Sequence, residues 1–391
     1  MPFAPDTFSC PNESAIVRTK VSKNLGRKFG SHCFTTETSS DSNSLIPTAT
    51  LAVDRLSGSF LVIPYLVSIC SKFFVYNNIV TNRDFKATIN FSQLLFGDSM
   101  TNERIRQIKK IALAAMFADD VLMEKLVLKG GNLLDLVYDI SVRASIDLDL
   151  SIDGDFDEPL DKLKLRVESA LKRTFKTNGY EVIDVSLKAV PKTLSDDRAD
   201  FWGGYKLEFK VLTEQTFNEN AGDLNKLRML AIPIGDAGAT TKIKIDLSKH
   251  EYCQNKKAFV LDDLTIFAYA PETFVCEKLR AICQQMQEYV EVMQSNPSSR
   301  ARDFLDLHLV CSRCTVSFTA TEFQTVLAGV FSKKQVPLHL IDCIKNEREF
   351  HRSDFDSVKA TVRAGDDLKS YDYYFDFVVS QCELLNSFWD K

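Results

Sequence analysis

The chain has 391 residues, of which 45% are hydrophobic, 26% charged and 10% aromatic, with a formal net charge of -5. This composition supports two or three domains with real cores and excludes a wholly disordered chain. The mild acidity also excludes a protein that coats nucleic acid by bulk charge, so any nucleic-acid partner must be held by a local basic patch.

The ten cysteines are scattered, without the dense spacing of a secreted disulfide framework, and no apolar signal-type run follows the basic stretch Arg18 to Lys28. A reducing, cytoplasmic setting is expected. The longest apolar stretch, residues 61–76, is broken by Pro64 and Lys72. It falls short of the ~20 residues that cross a bilayer and reads as a buried segment.

In chain order, residues 1–50 are rich in Ser and Thr and lack periodicity, the composition of a poorly ordered arm. Residues 51–100 regain apolar content but fit no motif. A helical period begins after Thr101, with Ile105, Ile108, Ile111, Ala112, Ala115 and Met116 on one side and Arg104, Arg106, Lys109 and Lys110 opposite. Residues 124–129 read as a strand, Gly130-Gly131 as a turn, 132–139 as a short helix and 146–152 as an alternating strand. An amphipathic helix over 158–178 ends near Gly179, and strands follow at 180–190, 203–213 and 241–247. From Pro271 the pattern is helical, with helices around 319–332, 337–345, 354–363 and 371–388. The order predicts an α+β fold: a mixed sheet with flanking helices at 101–265, then a helical domain at 266–391.

Chemistry concentrates in KGGNLLDLVYDISVRASIDLDL. A strand running through Gly130-Gly131 into a helix offers unpaired backbone N–H groups to a phosphate, although such turns are common without one. Two residues apart on a strand, Asp147 and Asp149 face the same way, while Ile146, Leu148 and Leu150 point to the core. Two carboxylates on one face suit Mg²⁺, or are simply a solvated strand face. In TTKIKIDLS, Lys242, Lys244 and Asp246 share a face. If that strand neighbours the first, Asp246 completes a three-carboxylate cluster able to hold two metal ions ~3.5–4 Å apart. The other reading is an edge strand protected by its lysines.

The glycine turn, the Asp-x-Asp strand and a third Asp on a later strand resemble the polymerase β-type nucleotidyltransferases. More narrowly, residues 126–150 resemble the AbiEii/AbiGii toxin family, whose Arg-x-Ser-x-Asp-x-Asp signature is met by Arg143, Ser145, Asp147 and Asp149. Later family features follow in order: Lys244 and Asp246, then Glu277-Lys278-Leu279-Arg280, then Arg302-Asp303-Phe304 with Asp306-Leu307. Asn132 stands where relatives commonly carry Thr or Ser.

The resemblance implies an Mg²⁺-dependent enzyme, with two ions, that transfers a nucleotide from an NTP to an RNA such as tRNA, or to a protein, as the toxin partner of an antitoxin. Asp147, Asp149 and Asp246 would ligate metal, with Asp246 or Lys278 assisting catalysis. Lys129, Gly130, Gly131, Arg143, Ser145 and Lys244 would contact the nucleotide, and Arg302 and Asp303 would support Lys278. From spacing alone, Lys278 is equally a solvated helix lysine and Arg302-Asp303 a structural ion pair. RNA would lie in a groove between Lys242, Lys244 and the 158–178 helix with Lys162, Lys164, Arg166, Lys172, Arg173 and Lys176. A catalytically silent nucleotide-binding protein of the same fold is the alternative. His308 with Cys311 and Cys314 is half a zinc pattern, and its helical spacing favours core cysteines. Trp202-Gly203-Gly204 reads as an aromatic-anchored packing turn.

Overall fold

A computed structural model describes residues 103–142, 145, 147–193, 196–234, 240–362 and 366–386, together with the backbone of 32–35 and 50–53. Arg143, Ile146, Thr101 and the apolar stretch 61–76 lie outside the described residues. The chain divides into two units, Met1–Ser92 and Gln93–Lys391. In the first, inside and just beyond the expected unordered arm, β1 (His32–Thr35) pairs antiparallel with β2 (Thr50–Val53).

The second unit is built on a seven-stranded mixed sheet in the order β5-β6-β7-β4-β3-β9-β8. Its strands are β3 (Leu126–Lys129), β4 (Leu148–Ile152), β5 (Tyr180–Val190), β6 (Gly204–Thr213), β7 (Ile243–Ser248), β8 (Lys256–Leu261) and β9 (Leu264–Tyr269). β4 runs parallel to β7 and antiparallel to β3, which is itself parallel to β9. Helix α1 covers residues 103–117, and all six positions of its expected apolar stripe are buried. Lys109, expected on the opposite side, is buried as well.

Two boundaries differ from the sequence pattern. Residues 124 and 125 close helix α2 (Asp120–Lys125) instead of opening a strand, because the Asp119 carboxylate accepts the Leu122 N–H at 3.1 Å and caps that helix. Gly130-Gly131 is no separate turn but the first residues of α3 (Gly130–Leu136). Gly130, at φ +71°, bends the chain directly out of β3, and a Cβ there would strike the Asp149 Oδ2 atom.

Alternation gives the sheet two unlike faces. Leu148, Leu150, Ile243, Ile245, Leu247, Leu207 and Phe209 form the apolar face. Onto it packs α4 (Leu160–Thr177) with Leu163, Val167, Ala170, Leu171 and Phe175, the Phe175 ring meeting Phe209 edge-on at 5.7 Å. The other face carries Lys129, Asp149, Asp246 and Lys206.

Short helices α5 (Asp196–Ala199), α6 (Glu214–Glu219) and α7 (Leu224–Leu230) decorate the β5–β6 wing. After the sheet come α8 (Pro271–Cys283), α9 (Gln287–Met293), α10 (Ala301–Arg313), α11 (Thr321–Lys333), α12 (Leu340–Cys343), α13 (Arg348–Arg352), α14 (Phe355–Thr361) and α15 (Tyr371–Glu383). Pro271 at N1 starts α8, whose fixed φ suits the first helical turn. The expected division at 265/266 falls inside β9, a sheet strand beside β3, and the helices belong to the same compact unit as the sheet. No helix among the described residues is long and apolar enough to cross a membrane.

Candidate active site

The parallel pairing of β4 with β7 sets Asp149 opposite Asp246. Antiparallel pairing puts Lys129 opposite Asp149 and Lys206 opposite Asp246. Directly opposed residues share a face, so Lys206, Asp246, Asp149 and Lys129 form one row across four strands. Burial pushes the Asp149 carboxyl up to about 6 against the pull of Lys129 and Lys278. Burial also raises Asp246; Lys206 opposes the shift and the Asp147 charge adds to it. Both acids therefore carry negative charge that the protein does not fully compensate.

Asp147 precedes the first ladder pair of β4, which is Leu148 with Ile245, so strand bonds do not hold it. Instead the buried Asn132 donates through Nδ2 to the Asp147 carbonyl at 2.6 Å and to Ser145 Oγ at 3.4 Å. Lys109 Nζ completes the clamp, donating to Asn132 Oδ1 at 3.2 Å and to the Ser145 carbonyl at 2.5 Å. The departure from Thr or Ser at position 132 thus has a structural use: its amide ties the glycine helix to the segment bearing the first carboxylate. Among the described residues no three His, Cys, Asp or Glu side chains close on one point as a ready-made metal cage. The expected three-carboxylate cluster is therefore an in-register pair, Asp149 and Asp246, with Asp147 beside it.

Lys129 does not point freely at a nucleotide. It is buried, with its ammonium 3.3 Å from Glu251 and 3.6 Å from Glu277. Glu251 also takes Arg280 at 2.7 Å and has Lys334 at 3.6 Å. Burial disfavours the Glu251 anion, but Arg280, Lys129 and Lys334 outweigh it and hold the carboxyl far below the usual range. Burial in turn draws the Lys334 ammonium down to about 8. Lys334 sits over the Trp202 ring at 5.1 Å, so the packing role expected for that tryptophan includes a cation.

Lys278 is likewise buried and not a solvated helix lysine. It donates to Asp303 Oδ1 at 2.8 Å, with Asp306 at 3.5 Å. Asp303, fully buried, is bound on its other oxygen by Arg300 Nε at 2.6 Å. Arg300, and not the exposed Arg302, is thus the arginine that supports Lys278 through Asp303. The field of Lys278 reaches Asp149, as does that of Arg300. Lys244 lies on the Asp246 face, half-buried.

The sequence pattern does not point to Glu251, Lys206 or Arg300: the first two are defined by partners distant in the chain, Lys129 and Asp246, and Arg300 lies outside the family motif although its partner Asp303 is only three residues on. The RNA groove expected beside α4 is not formed: α4 lies on the apolar face, opposite Asp149 and Asp246. Some of its bases are also engaged, Arg166 with Glu158 at 2.7 Å and Lys172 with Glu168 at 2.6 Å. The zinc pattern is absent too. His308 is packed among Tyr373, Tyr374 and Phe377, and the seven described cysteines are unbridged.

The mixed sheet thus sets two acids in register beside a glycine-opened helix, and the chain is a nucleotidyl transferase by family. The chain belongs to the AbiEii family, nucleotidyl transferase toxins of type IV toxin–antitoxin systems, which it matches over residues 111–377. Similar solved structures include JHP933 from Helicobacter pylori, 17% identical with TM-score 0.38, over 75% of this chain and 94% of that one. An antigenic nucleotidyltransferase-like protein from Paracoccidioides brasiliensis is 13% identical with TM-score 0.29, over 65% of this chain and 94% of that one. No curated protein matches the chain.

Proposed function

We propose that this toxin-family enzyme uses Mg²⁺ to transfer a nucleotide from an NTP to an RNA acceptor. The observation that carries the reading is the in-register pair Asp149 and Asp246, two hard-oxygen donors side by side on neighbouring strands whose burial outweighs the lysines around them. That donor chemistry fits Mg²⁺, which keeps water and substrate phosphates as its remaining ligands. Asp149, Asp246 and Asp147 would hold two ions, and the metal supplies neutralisation of charge on the transferring phosphoryl group. The chain's own residues do the positioning. Gly130 and Gly131 offer backbone N–H groups without a Cβ barrier, and Lys244 and Lys278 place positive charge by the acids. Ser145 is held through its carbonyl and hydroxyl beside Asp147. Asp246 would either ligate the second ion or help take the proton of the attacking hydroxyl.

Incubation with each α-labelled NTP, total tRNA and Mg²⁺ tests this reading. Label should pass from at least one NTP to RNA in the wild type, and not in Asp147→Ala or Asp246→Ala. Transfer surviving in both variants would remove the assigned site. Label appearing only on protein would replace the RNA acceptor.

Asn132→Ala should slow transfer about 10- to 100-fold. Unmaking the clamp leaves buried groups unsatisfied at ~1–3 kcal/mol, and 1.4 kcal/mol is about a factor of ten in rate. Faster amide exchange around residues 145–148 should accompany the loss. A rate within about twofold of wild type would show that Asp147 stays in place without the clamp.

A further inference from the structure

The row of opposed residues does not stop at Lys206. Lys188 on β5 pairs with Lys206, which pairs with Asp246. With strands about 4.8 Å apart, Lys206 lies one strand and Lys188 two strands from the acid pair. Lys244, two residues before Asp246, adds a third ammonium on the same face. Among the described residues none of these three lysines has a carboxylate within ion-pair distance. By contrast, the neighbouring Lys242 is tied to Glu208 at 3.2 Å. Lys188 is exposed, Lys206 and Lys244 half-buried. The far end of this face is closed by α7, whose Leu227 packs on Ile183 and Leu212, with Arg228 bonded to Asp184 at 2.7 Å. Between α7 and the acids, then, the described residues leave a polar floor on which Lys188, Lys206 and Lys244 outnumber Glu208, which lies opposite Lys244 and already takes Lys242, and Asp246, which lies opposite Lys206.

We infer that this floor is the track on which the RNA acceptor lies, its phosphates on Lys188, Lys206 and Lys244 and its reacting end at Asp246. The inference rests on the proposed nucleotidyl transfer to RNA and assigns the surface that serves it. Charge selects the occupant: a chain with a negative charge on every unit fits a line of cations ending at the reaction centre. The helix α4, with more basic residues, serves no such role because it packs on the reverse of the sheet.

Fluorescence anisotropy with a labelled single-stranded RNA of about 16 nucleotides, over a salt series, reads the number of phosphates neutralised. Each phosphate contact on a single strand contributes about 0.7 to the slope of log affinity against log salt. Replacing Lys188, Lys206 and Lys244 together by Ala should lower that slope by about 2. Lys188→Ala alone, at an exposed position, should lower it by about 0.7 with the fold intact. The control Lys162→Ala/Lys172→Ala/Lys176→Ala on α4 should leave it unchanged. An unchanged slope in the sheet variants, with wild-type transfer to RNA intact, would overturn the track and leave the proposed function standing. A wild type without salt-sensitive RNA affinity would overturn the RNA reading and the track together. Binding of polyglutamate but not RNA would give the floor to an acidic protein instead.

Discussion

Asp149→Asn is expected to produce a protein that is more stable than the wild type and nearly inactive. The Asp149 carboxyl stands at about 6 in the fold, against ~3.9 in an unfolded chain. A raised carboxyl favours the folded state while protonated; that contribution is whole below about pH 4 and is lost as pH rises through about 6. At pH 7.5 the native state therefore carries the full cost of an under-compensated anion, roughly 2–3 kcal/mol. Asparagine removes the charge and keeps the shape, so Tm should rise by about 4–12 °C at pH 7.5, at ~2–4 °C per kcal/mol. The rise should fade by pH 4. Transfer should fall by about 10²–10³ or more, the loss typical of removing a preorganised charge from a reaction centre. Mg²⁺ should raise the Tm of the wild type and not of the variant. A variant less stable than wild type at pH 7.5 would show that the Asp149 charge is already compensated in the fold.

Glu251→Ala is expected to have the largest effect on stability. Its carboxylate is the common partner of Arg280, Lys129 and Lys334, and all four side chains are buried. Removing one partner of a buried ion pair strands the other charges, at ~3–5 kcal/mol. Thermal unfolding should drop by about 6–20 °C at ~2–4 °C per kcal/mol. The exposed cluster around Asp372, bound by Arg348 at 2.9 Å and by Arg352 at 2.6 Å, makes the comparison. Surface pairs are worth about 0–1 kcal/mol, so Asp372→Ala should move Tm by only a few degrees. Equal shifts in the two variants would deny the buried network a special role. Because Lys129 lies in the Asp149 row, and Lys334 follows α11, Glu251 also joins the catalytic sheet to the helices behind it.

Much of this architecture is legible in local pattern. β5 matches its expected limits, and α4, β6 and β7 lie within two or three residues of theirs; α4 buries a stripe at helical spacing and β7 strictly alternate residues, whereas β5 departs from alternation at Val182 and Ile183, beside its bulge. The hairpin β8–β9 was missed. Its signal is two apolar runs joined by Asp262-Asp263, both at positive φ, a two-residue turn usually written with Asn or Gly. β9 lies beside β3 within the sheet and leads the chain into α8.

At the site, Asp149 was readable because its place depends on one strand, whereas Asp147, expected on that strand, precedes β4 and is held by Asn132 through its carbonyl. Lys206 beside Asp246, or Glu251 beneath Lys129, depends on strand order and on helices more than a hundred residues away. The direction of Lys129 shows the limit of motif reading: the residue falls in the family pattern, yet its ammonium belongs to Glu251 and Glu277. Arg300 outranks Arg302 for a similar reason. Helix α10 begins at Ala301, and Arg300, as its N-cap residue, reaches Asp303 three positions on.

The acid pair on β4 and β7 is proposed to carry out nucleotidyl transfer. Its most direct test compares label transfer from an α-labelled NTP to RNA, in Mg²⁺, by equal amounts of folded wild type and Asp149→Asn. Transfer is expected from the wild type, and next to none from a variant whose thermal stability equals or exceeds it. Undiminished transfer by the folded variant would contradict the role of the acid pair.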